Sequence, residues 1–422
     1  MKYTLVIAEK PSVAQSIAAV IGATKRYDGY LEGSDYIVSW CVGHLVELAT
    51  ADSYDERYAK WQYADLPIIP ENWQYSISRG KEKQMKIIKE LMHRKDVNII
   101  IAATDAGREG ELIFRLVYEK NNCNKPVKRL WISSMEEKAI SDGFKNLRDG
   151  KHYDNLYQSA LCRAKADWIV GINSTRLFSV LYGQTLNVGR VMSPTLSMIV
   201  EREASISAFV AEPYYTVQLD CGVFTLSCEK LADKQAAESL CKSCDGQNII
   251  IQSVENKKKS EKPPKLYDLT TLQREANRKL GFTAEQTLSY TQSLYEKKLV
   301  TYPRTDSRYL TSDISENTPP MIKAITDFFM PQDINFTISM EQVTDNSKVN
   351  DHHAIIPTMS IQNCDVASLP FGEREILLLI SLRLLCGVGD ACVYEETIVK
   401  TTLNKVEFAA KGKIIITEIG RA

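Results

Sequence analysis

Apolar and polar positions alternate with two different periods along the first 150 residues. Thr4-Leu5-Val6-Ile7-Ala8 is a short continuous apolar run, which predicts a buried strand followed by turn chemistry. Pro11 and Ser12 then open a helix with Val13, Ile17 and Val20 on one face. A second buried run covers residues 97–103, a helix follows over 111–120, and 127–132 forms a third strand candidate. Strands alternating with helices predict a parallel sheet. Residues 151 to about 210 read as helical, with Leu156, Ala160, Ala164, Trp168 and Ile172 spaced for one face. Residues 214–226 and 249–254 alternate as strands, and the Lys/Pro-rich residues 257–265 read as a crossing linker. Helices resume after it. Gly281 ends one, and Thr283-Ala284-Glu285-Gln286 has the capping-box pattern that starts the next, whose apolar stripe is Leu288, Leu294 and Leu299. Residues 414–417 read as a strand. There is no internal repeat and no low-complexity tract.

Composition narrows the class without choosing a function. A chain of 422 residues exceeds one core and implies roughly two to four domains. Its 44% hydrophobic and 25% charged residues are ordinary for a globular protein. No apolar run reaches the ~18 residues that span a bilayer, so no membrane role is expected. The N-terminus enters a strand directly and has no signal-peptide pattern. Ten scattered cysteines, with Cys241 and Cys244 as a lone CxxC, make no zinc site and suit a reducing, cytoplasmic setting. The net charge of −1 announces no nucleic-acid partner. Residues 251–310, however, hold twelve Lys/Arg against seven Asp/Glu, a balance of +5. Such a stretch fits a phosphate-tracking surface, although on charge alone a solvated charged face is the favoured reading.

Candidate chemistry collects at the strand ends. Glu9 follows the first strand, and Asp105 and Glu109 follow the second. Ligands of open parallel sheets bind outside the carboxyl ends of the strands. Three carboxylates there, flanked by Lys10 and Arg108, make an oxygen-rich site suited to Mg²⁺ and phosphate. A second candidate is Thr301-Tyr302-Pro303-Arg304-Thr305-Asp306-Ser307. Pro303 biases Tyr302 towards an extended backbone, where residues two apart point the same way. Tyr302 and Arg304 then address one phosphate. A phenol is a weak nucleophile, and a guanidinium beside it stabilises charge developing on the phosphate.

These phrases resemble the type IA DNA topoisomerases, of the topoisomerase III kind. Glu9-Lys10-Pro11-Ser12 and Ala103-Thr104-Asp105-Ala106-Gly107-Arg108-Glu109-Gly110-Glu111 are similar to that family's Toprim domain, and Val42-Gly43-His44-Leu45 to its Gly-His-Leu turn. The family's usual Asp-x-Asp-x-Glu has Gly107 here in place of its second Asp. The Tyr302 phrase, with Leu272-Gln273-Arg274-Glu275-Ala276 and Leu294-Tyr295-Glu296 before it, resembles the family's active-site region. Asp351-His352-His353-Ala354-Ile355-Ile356-Pro357-Thr358 resembles a further motif, whose first His, at His352, lies near the cleaved phosphate. Arg163-Ala164-Lys165-Ala166-Asp167-Trp168 with Arg176 resembles the helical domain that grips single-stranded DNA. Asn187-Val188-Gly189-Arg190-Val191-Met192-Ser193-Pro194-Thr195-Leu196 resembles Gly-Arg-Val-Gln-Thr-Pro-Thr-Leu, with Met192 replacing Gln. Trp61, after Lys60, is a candidate for stacking on a base.

The resemblance implies a multidomain protein of α/β, α and β parts. A Toprim domain with a parallel sheet and helices occupies 1–150. The first part of a helical single-strand DNA-binding domain follows at 151–212. A β-rich arch takes 213–265 and 395–422, and a helical domain carrying Tyr302 takes 266–394. It implies cleavage of one DNA strand through Tyr302, strand passage and resealing, without ATP, in agreement with the lack of a Walker-type loop. Tyr302, Arg304, Glu9, Lys10 and His352 are the expected catalytic groups, and Glu9, Asp105 and Glu109 the Mg²⁺ ligands. Trp61, Arg163, Arg176, Arg304 and the run Asn187, Val188, Gly189, Arg190, Val191 and Met192 are the expected DNA contacts. The chemistry needs no protein partner, so a monomer is expected. Since the family's chain returns to complete the arch and helical domain, an end ten residues past Gly412 implies a shortened chain that cleaves poorly. The other readings are a single-strand DNA-binding fragment that is catalytically weak, and a Toprim nuclease.

Overall fold

Strand β1 (Tyr3–Ala8) is buried at the middle of a seven-stranded sheet, because every residue from Leu5 to Ala8 is apolar and none is exposed. The computed structural model describes residues 2–132, 135–329, 337–349 and 352–417. After β1 come α1 (Pro11–Val20), β2 (Lys25–Tyr27), β3 (Tyr30–Glu32) and β4 (Tyr36–Trp40). A two-stranded pair, β5 (Val46–Leu48) and β6 (Tyr75–Ile77), brackets a loop, and α2 (Glu82–His93) leads to β7 (Val97–Ala103). Next are α3 (Arg108–Lys120), β8 (Val127–Arg129), α4 (Glu137–Lys145) and β9 (Arg148–Asp149). The sheet order is β2-β3-β4-β1-β7-β8-β9. Its four middle strands are parallel, as the alternation of strands and helices predicts, while β2, β3 and β9 add antiparallel edges. The parallel register sets Ala8 beside Ala103, so the residues that follow both strands leave the sheet at the same edge.

Helix α5 (Asp154–Tyr182) packs Tyr157, Ala160 and Leu161 into the core beneath α3. The apolar face expected further along is only half used: Ala164, Trp168 and Ile172 are partly exposed. The helix stops at Gly183 in the left-handed region (φ 65°), where no side chain is tolerated cheaply. A loop follows, then α6 (Met192–Ser207), none of whose residues is buried. The continuous helical reading of 151–210 is thus interrupted over 183–191.

The chain divides into two compact units. The first holds Met1–Arg202, Tyr267–Ser307 and Ser347–Leu377. The second holds Glu203–Leu266, Arg308–Asn346 and Leu378–Ala422, and is built on a five-stranded antiparallel sheet. That sheet contains β10 (Gln218–Asp220), β11 (Thr225–Cys228), β12 (Ser253–Glu261), β13 (Cys392–Leu403) and β14 (Val406–Thr417), with α7 (Lys234–Cys244) covering one end. Here the linker reading of 257–265 is corrected. Lys257, Lys258 and Lys259 lie within β12, opposite Glu396, Glu395 and Tyr394 of β13. Glu396 is buried and takes both Lys259 and Lys411. Cross-strand charge pairing therefore makes a lysine-rich run an edge strand. Strand β8 ends at Arg129 rather than at 132, and α3 begins at Arg108 rather than at 111.

Helices α8 (Leu269–Leu280) and α9 (Ala284–Glu296) belong to the first unit. Gly281 (φ 72°) closes α8, and Thr283 and Gln286 form the expected capping box. Residues of α9 that are buried are Thr287, Thr291, Leu294 and Tyr295; the two threonine hydroxyls donate to carbonyls one turn back, which satisfies them inside the core. The remaining helices are α10 (Ser312–Asn317), α11 (Pro319–Phe329) and α12 (Phe371–Val388). Among the described residues no helix is long and apolar enough to cross a membrane.

Candidate active site

The residues after β1 and β7 meet at one point. The Glu9 carboxylate accepts the backbone N–H of Asp105 at 3.2 Å. The loop from Thr104 to Glu111 is tightly made: Thr104 Oγ1 donates to the Gly110 carbonyl at 2.7 Å, and a Cβ on Gly110 would lie 2.1 Å from the Asp105 carbonyl oxygen. Only glycine fits there. Gly107 differs, since its extended backbone (φ 176°) and open surroundings would accept any side chain.

Beneath this loop lies a group that sequence reasoning missed. Arg129, at the end of β8, is fully buried. Its Nη1 donates to the carbonyls of Ala102, Thr104 and Leu130 at 2.8–3.0 Å, and its Nη2 to that of Asp105 at 2.6 Å. Its Nε faces Glu111, also buried, at 3.0 Å, and Glu111 is shared with Arg115 at 2.9 Å. A guanidinium thus ties the end of β7 to the Asp105 turn. Sequence carried little signal for it, because Lys128 beside it in β8 is charged too; burial separates them, and a buried arginine must be paired.

Tyr302 comes to the same point from another part of the chain. Its segment runs beside residues 352–357. Thr301 N–H donates to the Ile356 carbonyl, Thr301 Oγ1 to that of Ala354, and Thr305 Oγ1 to that of His352. The two buried threonines clamp the run on either side of Tyr302. The Tyr302 hydroxyl faces the Asp105 carboxylate, and its ring lies 4.4 Å from the His352 ring and 5.4 Å, edge on, from Tyr295. Tyr302, His352 and Tyr295 line a small pocket with Thr104, Asp105 and Ala106, with room for about one water molecule, 10 Å³. Asp351, which opens the His352 motif, lies outside the described residues.

Burial and like charge set the protonation of this cluster. Burial first, and the Asp105 charge second, push Glu9 up to about 7. Burial also raises Asp105, opposed by the Tyr302 hydrogen bond and by Lys10, Arg129 and Arg304. Tyr302 is raised by burial and by Asp105, with Arg304 pulling the other way. Burial holds His352 down at about 4, although its hydrogen bond to the Ala106 backbone favours the charged form. It is neutral at physiological pH, and its buried Nδ1 has no hydrogen-bond partner among the described residues. Lys10 is paired with Glu296 at 3.4 Å.

The expected residues therefore fall into three groups within the first unit. Glu9, Lys10, Asp105, Tyr302, Arg304 and His352 come together. Glu109 does not join them: its carboxylate faces Arg163 at 3.1 Å and His44 at 3.9 Å, and among the described residues no three acidic, His or Cys side chains converge on a cation site. Arg163, Asp167 and Arg190 form a second group on α5 and the loop after it. In that loop Val188 N–H is held by Thr175 Oγ1 at 2.9 Å and Gly189 N–H by Ser193 Oγ at 3.2 Å, while Asn187, Val191 and Met192 are exposed. Trp61 and Arg176 form the third. The Trp61 ring, 42% exposed, covers the buried Arg176 guanidinium at 5.5 Å. Their loop is fixed to α5 by Asn173, which exchanges hydrogen bonds with the Ile68 backbone, and by Trp168 Nε1 donating to Ala49.

A DNA topoisomerase family model matches residues 151–418, and a Toprim domain model matches residues 4–135. The chain is similar to the DNA topoisomerase 3 of Bacillus cereus, at 44% identity over 435 residues, covering 99% of the chain and 59% of the relative. It is similar to that of Bacillus subtilis, again at 44% identity, with 98% and 59% covered. The chain thus spans about three fifths of the length of these relatives. Its fold is like that of the full-length topoisomerase I from Thermotoga maritima, with a TM-score of 0.74 at 24% identity, covering 99% of this chain and 66% of that one. Toprim domains generally bind divalent metal ions.

Proposed function

The chain belongs to the type IA DNA topoisomerase family, and we propose that it carries that family's strand-cutting centre, with Tyr302 as nucleophile. The observation that carries this reading is the meeting of the Tyr302 hydroxyl with Asp105, beside Glu9, His352 and the Arg304 charge. The phenol oxygen attacks a backbone phosphate of a single DNA strand. The phosphorus–O3′ bond breaks, a 5′-phosphotyrosine forms, and the 3′ oxygen leaves with a proton. Resealing is the reverse, so the bond energy is kept and no ATP is needed.

Each side chain has a task in that exchange. Asp105, whose carboxylate faces the phenol, is the group placed to take its proton. Glu9, half protonated near neutral pH, can supply the proton that the leaving oxygen takes. Arg304 and Lys10 stabilise charge on the phosphate. Neutral His352 offers Nδ1 as an acceptor at the ring of Tyr302. With room for about one water molecule, the pocket admits no strand, so the tyrosine segment must part from the Toprim loop before cutting.

Two adjacent carboxylates, both raised by burial and Glu9 also by the Asp105 charge, fit a divalent cation, because a cation favours the charged form of each. Mg²⁺ is the reading we favour, held by Glu9 and Asp105. When bound it would supply positive charge beside the reacting phosphate. Arg163, Arg190, Trp61, Arg176, Val188 and Gly189, with Asn187, Val191 and Met192 around them, form the surfaces proposed for the rest of the strand. The domain division follows: Toprim to residue 150, helical DNA-binding residues 151–212, the arch from 213–265 and 395–422, and the tyrosine-bearing helices at 266–394. A monomer acting on cytoplasmic DNA is the simplest setting. A second reading, a chain that binds a strand but cuts it slowly, is favoured by Gly107 and by the diversion of Glu109 to Arg163.

A single-stranded oligonucleotide labelled at either end tests this. Label from the 3′ end should remain bound to denatured protein, and label from the 5′ end should leave on a fragment ending in a 3′ hydroxyl. Free fragments without adduct would make the protein a nuclease, and an uncut strand would leave binding alone.

A further inference from the structure

Charged side chains on and beside α5 form a continuous line of ion pairs. Arg190 grips Asp167 with two donors, Nε to Oδ1 at 2.5 Å and Nη2 to Oδ2 at 3.2 Å. Arg163 reaches the same Oδ2 with its Nε at 3.7 Å and gives Nη1 to Glu109 at 3.1 Å. Two guanidinium groups thus converge on one carboxylate. A phosphate presents a guanidinium fork with the same pair of oxygens as a carboxylate does. The formal charges of Arg163, Arg190, Asp167 and Glu109 sum to zero, so in this arrangement the surface has no net attraction for a polyanion.

We propose that Asp167 is an internal stand-in for a DNA phosphate, occupying Arg190 and Arg163 while no strand is bound and giving way when one arrives. The inference rests on reading this surface as strand-binding. The exchange is physically easy. The four side chains are between 39% and 53% exposed, and pairs this open to water are held weakly. Arg190 keeps the Asp167 carboxyl below the usual range, so it remains a charged competitor at neutral pH. Each arginine stays extended and oriented, and the strand's gain is discounted by the pair it displaces. A protein that must release its strand after resealing benefits from such a discount.

The test is fluorescence anisotropy with a labelled single-stranded oligonucleotide over a salt series, comparing wild type with Asp167→Asn, Asp167→Ala and Arg190→Ala. Removing the competitor should tighten binding about two- to fivefold in both Asp167 variants. The added net charge should steepen the salt dependence by up to about 0.7 in log–log slope. Arg190→Ala should weaken binding. If Arg190→Ala weakens binding while both Asp167 variants bind equally or less well, Asp167 orients the arginines and the proposal is overturned. If Arg190→Ala binds like wild type, the strand-binding reading fails, and the proposal fails with it.

Discussion

The centre around Tyr302 and the line of ion pairs on α5 use the same kinds of side chain in opposite ways. At the centre, burial moves protonation: Glu9 rises to about 7, His352 falls to about 4, and Tyr302 gives its hydrogen bond to a carboxylate. On α5 and the loop after it, the half-exposed Arg163 and Arg190 simply share Asp167. A charge out of water changes what a neighbour can do chemically, whereas a charge in water changes mainly which partner it holds. Chemistry and strand-holding are accordingly assigned to different surfaces of one unit.

The sharpest way to break this contrast is to remove the buried guanidinium. Arg129→Met leaves Glu111 buried with Arg115 as its remaining partner and frees the Asp105 turn. It should lower stability by about 3–5 kcal/mol in denaturant unfolding, and adding Glu111→Leu should recover part of that loss. Losses under 1 kcal/mol would mean that Arg129 behaves like a surface arginine.

Protonation provides the next test, with two windows of opposite sign. The folded state holds His352 below its unfolded value of 6.5, so the unfolded chain binds more protons between about 6.5 and 4. Stability from His352 is full above that window and is lost as pH falls through it. Glu9 is raised from 4.5 to about 7, so the folded chain binds the extra proton, and stability falls as pH rises through that range. Thermal melts of Glu9→Gln should lack this fall up to pH 8, and Mg²⁺ should offset it in the wild type. A Glu9→Gln curve parallel to wild type would remove Glu9 from the buried cluster.

Smaller effects are expected where water is near. Gly107→Asp meets no steric obstacle and adds a carboxylate at the turn. It should tighten Mg²⁺ binding on the order of tenfold by calorimetry; an unchanged affinity would mean that the new side chain caps α3 instead. Trp61→Ala should weaken single-strand binding by about 1 kcal/mol in the anisotropy assay. No change there would make Trp61 a cover for Arg176 rather than a platform for a base.

How much of this was readable beforehand follows the same division. The ends of β7 match the apolar run, Gly281 and the Thr283–Gln286 box mark their helix boundaries, and Glu9, Asp105 and Tyr302 meet although they lie far apart in sequence. Strong local chemistry and strong periodicity survive folding. Strands β2 to β4 went unread because two of them are three residues long, too short to show a period. Lys257 to Lys259 read as a linker because the partner that makes them a strand, Glu396, lies far along the chain. Glu109 was placed by spacing with the other carboxylates, yet its direction on α3 is set by Arg163 across the helix pair. Arg129 needed the end of β7, the Asp105 turn and α3 to be in place before its partners existed.

The central claim, that Tyr302 is the cutting group, is tested most directly by trapping the covalent complex with 3′-labelled single-stranded DNA in wild type and Tyr302→Phe. Adduct is expected in the wild type and none in the variant, with strand binding by anisotropy unchanged within about twofold, because only one oxygen is lost. Adduct of equal yield in Tyr302→Phe would contradict it.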